Sequence, residues 1–284
     1  MDAWVMKLDG EGRVEWSRVF GKEGMEIVFA TAEAGDGGYV SLVRNDSFGS
    51  SGPWVVKLDA AGNMEWQFDY QLGPTVTISG PTRDGCVLVV MSSLRDLLLL
   101  KLRSSTGEEV WRRRIGGDGR DSGSDLERTS DGGFLLGGMT DSHKADQIDD
   151  LWLVKLDPYG EIEWQKAYGG PLEELRCRAR QTAGGGYVLG GQVNLGGTPQ
   201  DTVVLRLSPA GEILWQKQID VPGMHDHIVD LAEMADGGVV VAMDVSDPQS
   251  TDAGQMYLLK LDSMGNLLWV RDYGIDAPWS QELP

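Results

Sequence analysis

The sequence predicts an all-β chain of repeated four-stranded sheets, and three observations carry that prediction. The first is a repeat. One basic position, flanked by apolar residues, recurs at Lys7, Lys57, Lys101, Lys155, Arg206 and Lys260, with spacings of 50, 44, 54, 51 and 54 residues. The second is a turn and a tryptophan that follow each copy. Asp9–Gly12, Asp59–Gly62, Asp157–Gly160, Ser208–Gly211 and Asp262–Gly265 read as turns, and Arg103–Gly107 is a copy one residue longer. Trp16, Trp66, Trp111, Trp164, Trp215 and Trp269 each stand four places after the turn glycine. The third is a second hairpin signal between these units: Asp36-Gly37-Gly38, Asp84-Gly85-Cys86, Asp131-Gly132-Gly133, Gly184-Gly185-Gly186 and Asp236-Gly237-Gly238. A period near 50 marks a repeat architecture, and Asp-Gly between β-prone runs marks a hairpin, here expected as a tight I′ turn.

Each repeat therefore holds four strands, A to D. Strand A runs into Asp-Gly, strand B follows it, strand C carries the basic residue and strand D the tryptophan. In the first turn type Asp or Ser bonds its own backbone, and Gly takes the positive-φ position. Strands B and C, such as Val87–Met91 and Leu151–Val154, are apolar runs without alternation, so both faces are expected to be buried. A four-stranded sheet buried on both faces is a propeller blade packed between two others. The expectation is one β-propeller domain over 1–284, six-blade-like. It has a half blade at 1–21, full blades at about 22–70, 71–116, 117–169, 170–220 and 221–274, and a tail at 275–284. The half blade is expected either to be completed by an upstream strand pair or to close the ring unusually. Its open edges would be adhesive.

Composition narrows the function classes. A hydrophobic fraction of 41% supplies a sizeable core. The formal charge of -19 repels phosphate backbones and anionic lipid surfaces and favours cations and basic partners. Nucleic-acid binding is excluded on that ground. No run approaches the ~18 apolar residues of a membrane helix, so membrane insertion is not expected. Met1-Asp2-Ala3-Trp4 enters a repeat strand with no secretory signal before it. The opening reads as cytosolic or as preceded by an export segment. Cys86 and Cys177 lie apart in predicted strands and read as small buried hydrophobes, with no zinc spacing. Asn45-Asp46-Ser47 matches a glycosylation sequon.

The motif order resembles the kelch-like propeller repeat. It is closer to the roughly 50-residue repeats of bacterial and archaeal surface or secreted propellers, with a consensus WLVKLDxxGxxxWxxxYGG…TxDGGYxLxG. Thr129–Gly138 fits the second half of that pattern and Leu151–Gly170 the first. The resemblance implies a cell-surface or extracellular binding or scaffold protein, with a protein or glycan partner, acting as a monomer. Leu100-Lys101-Leu102 and Thr106–Trp111 also resemble the tryptophan-docking motif of quinoprotein-type propellers. That implies tryptophans packed between blades. The vicinal cysteine pair of those enzymes does not occur here, and no calcium-ligand set maps onto the chain.

Candidate chemistry falls into four groups. Ten residues before each Asp-Gly turn stand Glu26, Asp121, Glu174 and Asp226, with Pro74 in the second copy. At the entry of strand A they would gather about one channel mouth and bind Ca²⁺ or a cationic or polyhydroxylated ligand, or else cap backbone turns. The basic ladder needs partners where buried, and Asp2, Asp96, Asp150 and Asp201, shortly ahead of it, are its expected salt-bridge register. Arg176, Arg178 and Arg180 alternate along one strand and would match Asp125 and Glu127 of the preceding repeat, or form an anion site. His225 and His227, two apart, would place both imidazoles on one side as weak metal candidates. The B-to-C connections, 44–53, 92–96, 140–150, 192–201 and 244–255, vary most and are the expected ligand loops. No nucleophile elbow, activated cysteine or phosphate-cradling glycine loop occurs, so no catalytic residue is assigned. The rival reading is a carbohydrate-active hydrolase or lyase working with two of the mouth carboxylates, or a degenerate quinoprotein.

Overall fold

The structure, a computed structural model, describes residues 2–21, 26–45, 53–69, 75–92, 97–142, 148–170, 173–194, 200–247 and 254–273. Among these residues all regular structure is strand, with no helix. A two-stranded sheet comes first, β1 (Ala3–Leu8) and β2 (Val14–Phe20). Five four-stranded sheets follow in chain order. They are β3 (Glu26–Glu33), β4 (Tyr39–Asn45), β5 (Pro53–Leu58) and β6 (Met64–Asp69); then β7 (Thr75–Ser79), β8 (Cys86–Ser92), β9 (Leu97–Arg103) and β10 (Glu109–Ile115). Next come β11 (Asp121–Arg128), β12 (Phe134–Thr140), β13 (Asp150–Leu156) and β14 (Ile162–Tyr168). The last two are β15 (Glu173–Gln181), β16 (Tyr187–Asn194), β17 (Asp201–Leu207) and β18 (Ile213–Ile219), and β19 (His225–Glu233), β20 (Val239–Ser246), β21 (Gln255–Leu261) and β22 (Leu267–Asp272). One half sheet and five full sheets is the count the repeats predict. Each strand pairs with its sequence neighbour, so every connection within a sheet is a hairpin.

Packing divides the chain into two compact units, Met1–Phe134 with Leu156–Glu163, and Leu135–Lys155 with Trp164–Pro284. Within the first unit, alternate residues of one strand serve two cores. Trp54, Val56 and Leu58 of β5 pack with Ala3 and Val5 of β1, while Val55 packs with Val87, Val89 and Leu100 of the next sheet. This two-sided use explains why the C strands read as unbroken apolar runs; β9 is buried along six of its seven residues. The second unit repeats the device, with Val188 and Val204 meeting Val241, Met243 and Leu259. Each such aliphatic side chain contributes about 1.5–3 kcal/mol on burial. In β1, by contrast, Ala3 and Val5 are buried but Trp4, Met6 and Leu8 are exposed, so that sheet is covered on one face.

Most turns of both hairpin types share one geometry, and it is not the I′ turn expected of Asp-Gly. In the A–B turn Thr82 N–H donates to Cys86 O at 2.7 Å and Gly85 N–H to Thr82 O at 3.1 Å. In the C–D turn Asp9 N–H donates to Arg13 O at 2.8 Å and Gly12 N–H to Asp9 O at 3.0 Å. In these two turns one glycine alone has positive φ, 73° at Gly85 and 81° at Gly12, whereas the 34–38 turn departs with two, Gly35 at 81° and Gly37 at 84°. A I′ turn needs positive φ at both central residues, whereas a type I turn closed by one left-handed glycine needs it once. The longer loop lets Asp9 Oδ1 accept from Glu11 N–H and Arg13 N–H, each at 2.9 Å.

Three of the repeat tryptophans link consecutive sheets. Trp16 donates its indole N–H to Ala60 O at 3.0 Å, Trp66 to Ser104 O at 3.0 Å, and Trp215 to Ser263 O at 2.9 Å. In each case the acceptor lies in the C–D turn of the following sheet. Trp66→Phe is expected to cost about 1–2 kcal/mol, because it strands the carbonyl of the buried Ser104 while preserving most of the packing. A urea-denaturation midpoint equal to wild type would show that the indole N–H contributes nothing.

The B-to-C connections fall mainly outside the described residues, as do the sequon beyond Asn45, Pro74, Asp96 and the side chain of Glu174.

Candidate functional site

Five members of the basic ladder, Lys7, Lys57, Lys101, Arg206 and Lys260, form ion pairs with acids other than those preceding strand C. Lys57 is fully buried, with its Nζ 3.0 Å from Asp36 Oδ2, 2.9 Å from Glu65 Oε2 and 3.0 Å from Leu58 O. Lys101, 3% exposed, meets Asp84 Oδ2 at 2.7 Å and donates to Tyr159 O at 2.9 Å. Lys260 pairs with Asp236. For these three lysines the shared partner is the aspartate of the Asp-Gly turn, while Lys7, whose two-stranded sheet has no such turn, pairs with Glu15 at 2.5 Å. The turn geometry makes this possible: Asp236 Oδ1 caps Gly238 N–H at 3.0 Å and Oδ2 is left for Lys260, and Asp36 divides its oxygens between Gly38 N–H and Lys57 in the same way. Where the turn carries Gly184 instead of Asp, the ladder residue is Arg206, and its longer fork crosses to the next sheet, to Glu233 Oε1 at 2.5 Å and Gly237 O at 2.8 Å. Burial pushes the Asp84 carboxyl up, but its bonds from Lys101 and Thr82 outweigh that and hold it below the usual range.

The three described acids of the strand-A register are all buried: Glu26 at 1% exposure, Asp121 at 3% and Asp226 at 0%. Asp121 Oδ2 accepts from Gly117 N–H at 2.8 Å and Asp226 Oδ2 from Val221 N–H at 2.6 Å. Each therefore caps the turn that leads from strand D into the next strand A.

Arg176, Arg178 and Arg180 do not alternate along one face. A bulge falls between Leu175 and Arg178, which pair with Gln192 and Gly190, and it takes Arg176 out of register. Arg176 has φ 53°, the single positive value at a non-glycine among the described residues, and its N–H approaches Met139 Sδ at 3.2 Å. Past the bulge, Arg178 donates from Nε to Val229 O at 3.0 Å and Arg180 reaches Asp230 Oδ1 at 2.7 Å, both on β19. Arg176 is exposed instead. Burial, together with the charge of Arg176 and the neighbouring His225, holds the His227 imidazole below its ordinary value. The two imidazoles stand 5.8 Å apart, and His225 Nδ1 accepts from Gln200 N–H at 3.1 Å. Neither belongs to a cluster of three potential metal ligands.

One such cluster exists among the described residues, formed by Asp201, Asp220 and Asp226, with an oxygen from each lying within 4.8 Å of the others. Three elements bring them together. Asp201 opens β17, Asp220 follows β18, and Asp226 stands at the start of β19. The strand starts are stitched by Asp226 N–H to Gln200 O at 2.8 Å and Thr202 Oγ1 to Asp226 O at 3.0 Å. Asp201 Oδ2 accepts from Gln218 Nε2 at 2.5 Å. Asp226 Oδ1 is buried and has no hydrogen-bond donor. Burial pushes the Asp226 carboxyl up to about 7; the Val221 amide opposes the shift, and repulsion from Asp201 and Asp220 adds to it. Sequence reading found Asp226 and Asp201 in separate registers and missed Asp220. The available signal was a departure from the repeat, since Asp220 stands where four of the other five copies carry Gly21, Gly116, Gly169 and Gly274 and the remaining one Gln71.

No sequence family and no curated protein matches the chain. Solved structures do. A Lactobacillus plantarum protein aligns with a TM-score of 0.59 at 11% identity, over 93% of this chain and 76% of its own. An ulvan lyase, a polysaccharide lyase solved bound to a sulfated GlcA–Rha saccharide, aligns with a TM-score of 0.56 at 9% identity, over 82% of this chain and 68% of its own. A Bacteroides caccae protein of unknown function aligns with a TM-score of 0.53 at 13% identity, over 95% and 93%. At these identities the likeness is one of fold alone, and the fold is all-β, of the β-propeller type.

Proposed function

We propose that the chain is a non-catalytic binding or scaffold propeller whose ligand is a glycan, peptide or protein bearing an acidic group. Arg176 carries this reading. It is an exposed cation in an acidic protein, held in a left-handed conformation at a bulge, and such strain persists where surrounding structure imposes it, often at ligand sites. Its companions Arg178 and Arg180 are engaged by β19, which fixes the strand from which Arg176 projects. The resemblance of the repeats to kelch-like ones supports the same reading, with the B-to-C loops as further contacts and the cell surface as the setting. The carbohydrate-active alternative needs two carboxylates flanking an open cleft. Asp121 and Asp226 are instead buried and bonded to backbone amides, which counts against that pair.

The test is a calorimetric titration of the chain with an oligogalacturonate, a neutral oligogalactan and an acidic peptide, alongside a product assay on both saccharides. Binding of an acidic probe, weakened at least about tenfold in Arg176→Ala, is the expected result. Binding indifferent to that substitution, or release of new saccharide ends, would overturn the reading.

A further inference from the structure

We infer that Asp201, Asp220 and Asp226 form a site for one divalent, oxygen-seeking cation, Ca²⁺ in preference to Mg²⁺. Two independent observations support it. The first is geometric. Oxygens bound to a single Ca²⁺ at about 2.3–2.6 Å lie no more than about 5 Å apart, while those on Mg²⁺, at about 2.0–2.1 Å, lie within about 4.2 Å. The three aspartate oxygens lie within 4.8 Å of one another, inside the reach of a single Ca²⁺, and Ca²⁺ accepts irregular oxygen geometry where Mg²⁺ demands a near-ideal octahedron. The second is the orphaned Asp226 Oδ1, fully buried and without a donor. A buried carboxylate oxygen with no partner is costly, and the nearest side-chain oxygens of the cluster are two further carboxylates, which cannot donate to it when ionised. A cation answers all three at once.

The construction of the site agrees. Asp201 and Asp226 are anchored by Gln218, Val221 and the paired starts of β17 and β19, so two ligands are fixed before an ion arrives. Asp220 is exposed and completes the site from the solvent side, where water would fill the remaining coordination positions. A cavity of about 320 Å³ adjoins the site on the Asp220 side, lined in part by Gln218, Asp220 and Val221 but not by Asp201 or Asp226. Asp220 is also the repeat's departure from glycine. Four of the other five copies keep glycine there and the fifth has the neutral Gln71, whereas this one copy places a third carboxylate beside two that the fold already buries. With three protein ligands the affinity expected is that of weak calcium modules, a Kd of roughly 10⁻⁴–10⁻³ M.

Because the repeat itself supplies the neutral alternative, Asp220→Gly is the informative variant. The chelator-treated full chain is titrated with CaCl₂ and separately with MgCl₂, and its melting temperature is followed in each salt against NaCl of equal ionic strength. Wild type is expected to bind one Ca²⁺ per chain, more tightly than Mg²⁺, and to melt several degrees higher with Ca²⁺ at about 100 times Kd. Asp220→Gly is expected to lose at least about tenfold in Ca²⁺ affinity and most of the melting shift, and to melt near wild type without the ion. Asp226→Asn serves as a second variant with the same expected loss. No Ca²⁺-specific shift in wild type, or an equal shift in both variants, would overturn the assignment. Arg176 takes no part in this site, so its failure and that of the ligand reading are separate results.

Discussion

Asp84→Ala is expected to lower stability by about 3 kcal/mol, and Lys101→Met by clearly less. Lys101 Nζ is buried at 3% exposure, with Asp84 Oδ2 and Tyr159 O as its partners. Removing the carboxylate leaves a buried ammonium facing one carbonyl, and breaking a buried pair from one side costs about 3–5 kcal/mol. The lower end applies here because Asp84 is itself 42% exposed and water can enter after it. Methionine in place of Lys101 removes the charge, keeps much of the side-chain volume and returns Asp84 to solvent. The pH dependence has a definite sign. The folded Asp84 carboxyl is held below its unfolded value, so its contribution is present above about pH 4 and is lost as pH falls through the folded value. The gap between wild-type and Asp84→Ala urea midpoints should therefore be full at neutral pH and shrink on acidification below about pH 4. A gap that is constant with pH, or a Lys101→Met variant as unstable as Asp84→Ala, would show that the pair does not act as an ion pair.

Gly62→Val is expected to cost at least about 3 kcal/mol, against about 1–2 kcal/mol for Gly85→Ala. Both glycines close type I turns at positive φ, 80° and 73°. Ala at Gly85 meets nothing within 4 Å, so the expected loss is the left-handed penalty of an L-residue alone. At Gly62 a Cβ would lie 2.7–3.1 Å from three atoms of the Trp16 ring, and a β-branched residue adds two more carbons there. The indole cannot yield cheaply, because its N–H is bonded to Ala60 O two residues before the glycine. Equal destabilisation by the two substitutions would mean that the turn glycine serves the turn alone and not the contact between sheets.

The same two turns show where sequence reading stopped. Asp36, Asp84 and Asp236 were legible as turn residues, and Lys57, Lys101 and Lys260 as buried bases in need of acids. Their pairing was not, because the acids were sought along strand C, whereas hairpin pairing sets the A–B turn against the far end of that strand. The arginine series failed for a related reason. A period of two assumes an unbroken ladder, and a bulge, which nothing local announces, took Arg176 out of register.

By itself the chain determined its strand order, hairpin sequence, sheet count and two-sided cores. Those follow from near-neighbour chemistry, namely positive-φ glycines, aspartate caps and apolar runs, repeated often enough to be read past any single exception. Only the tertiary structure decided which carboxylates meet. Asp201, Asp220 and Asp226 belong to three different strand ends, and their convergence depends on how one sheet lies against the next, a distance that no spacing along the chain encodes.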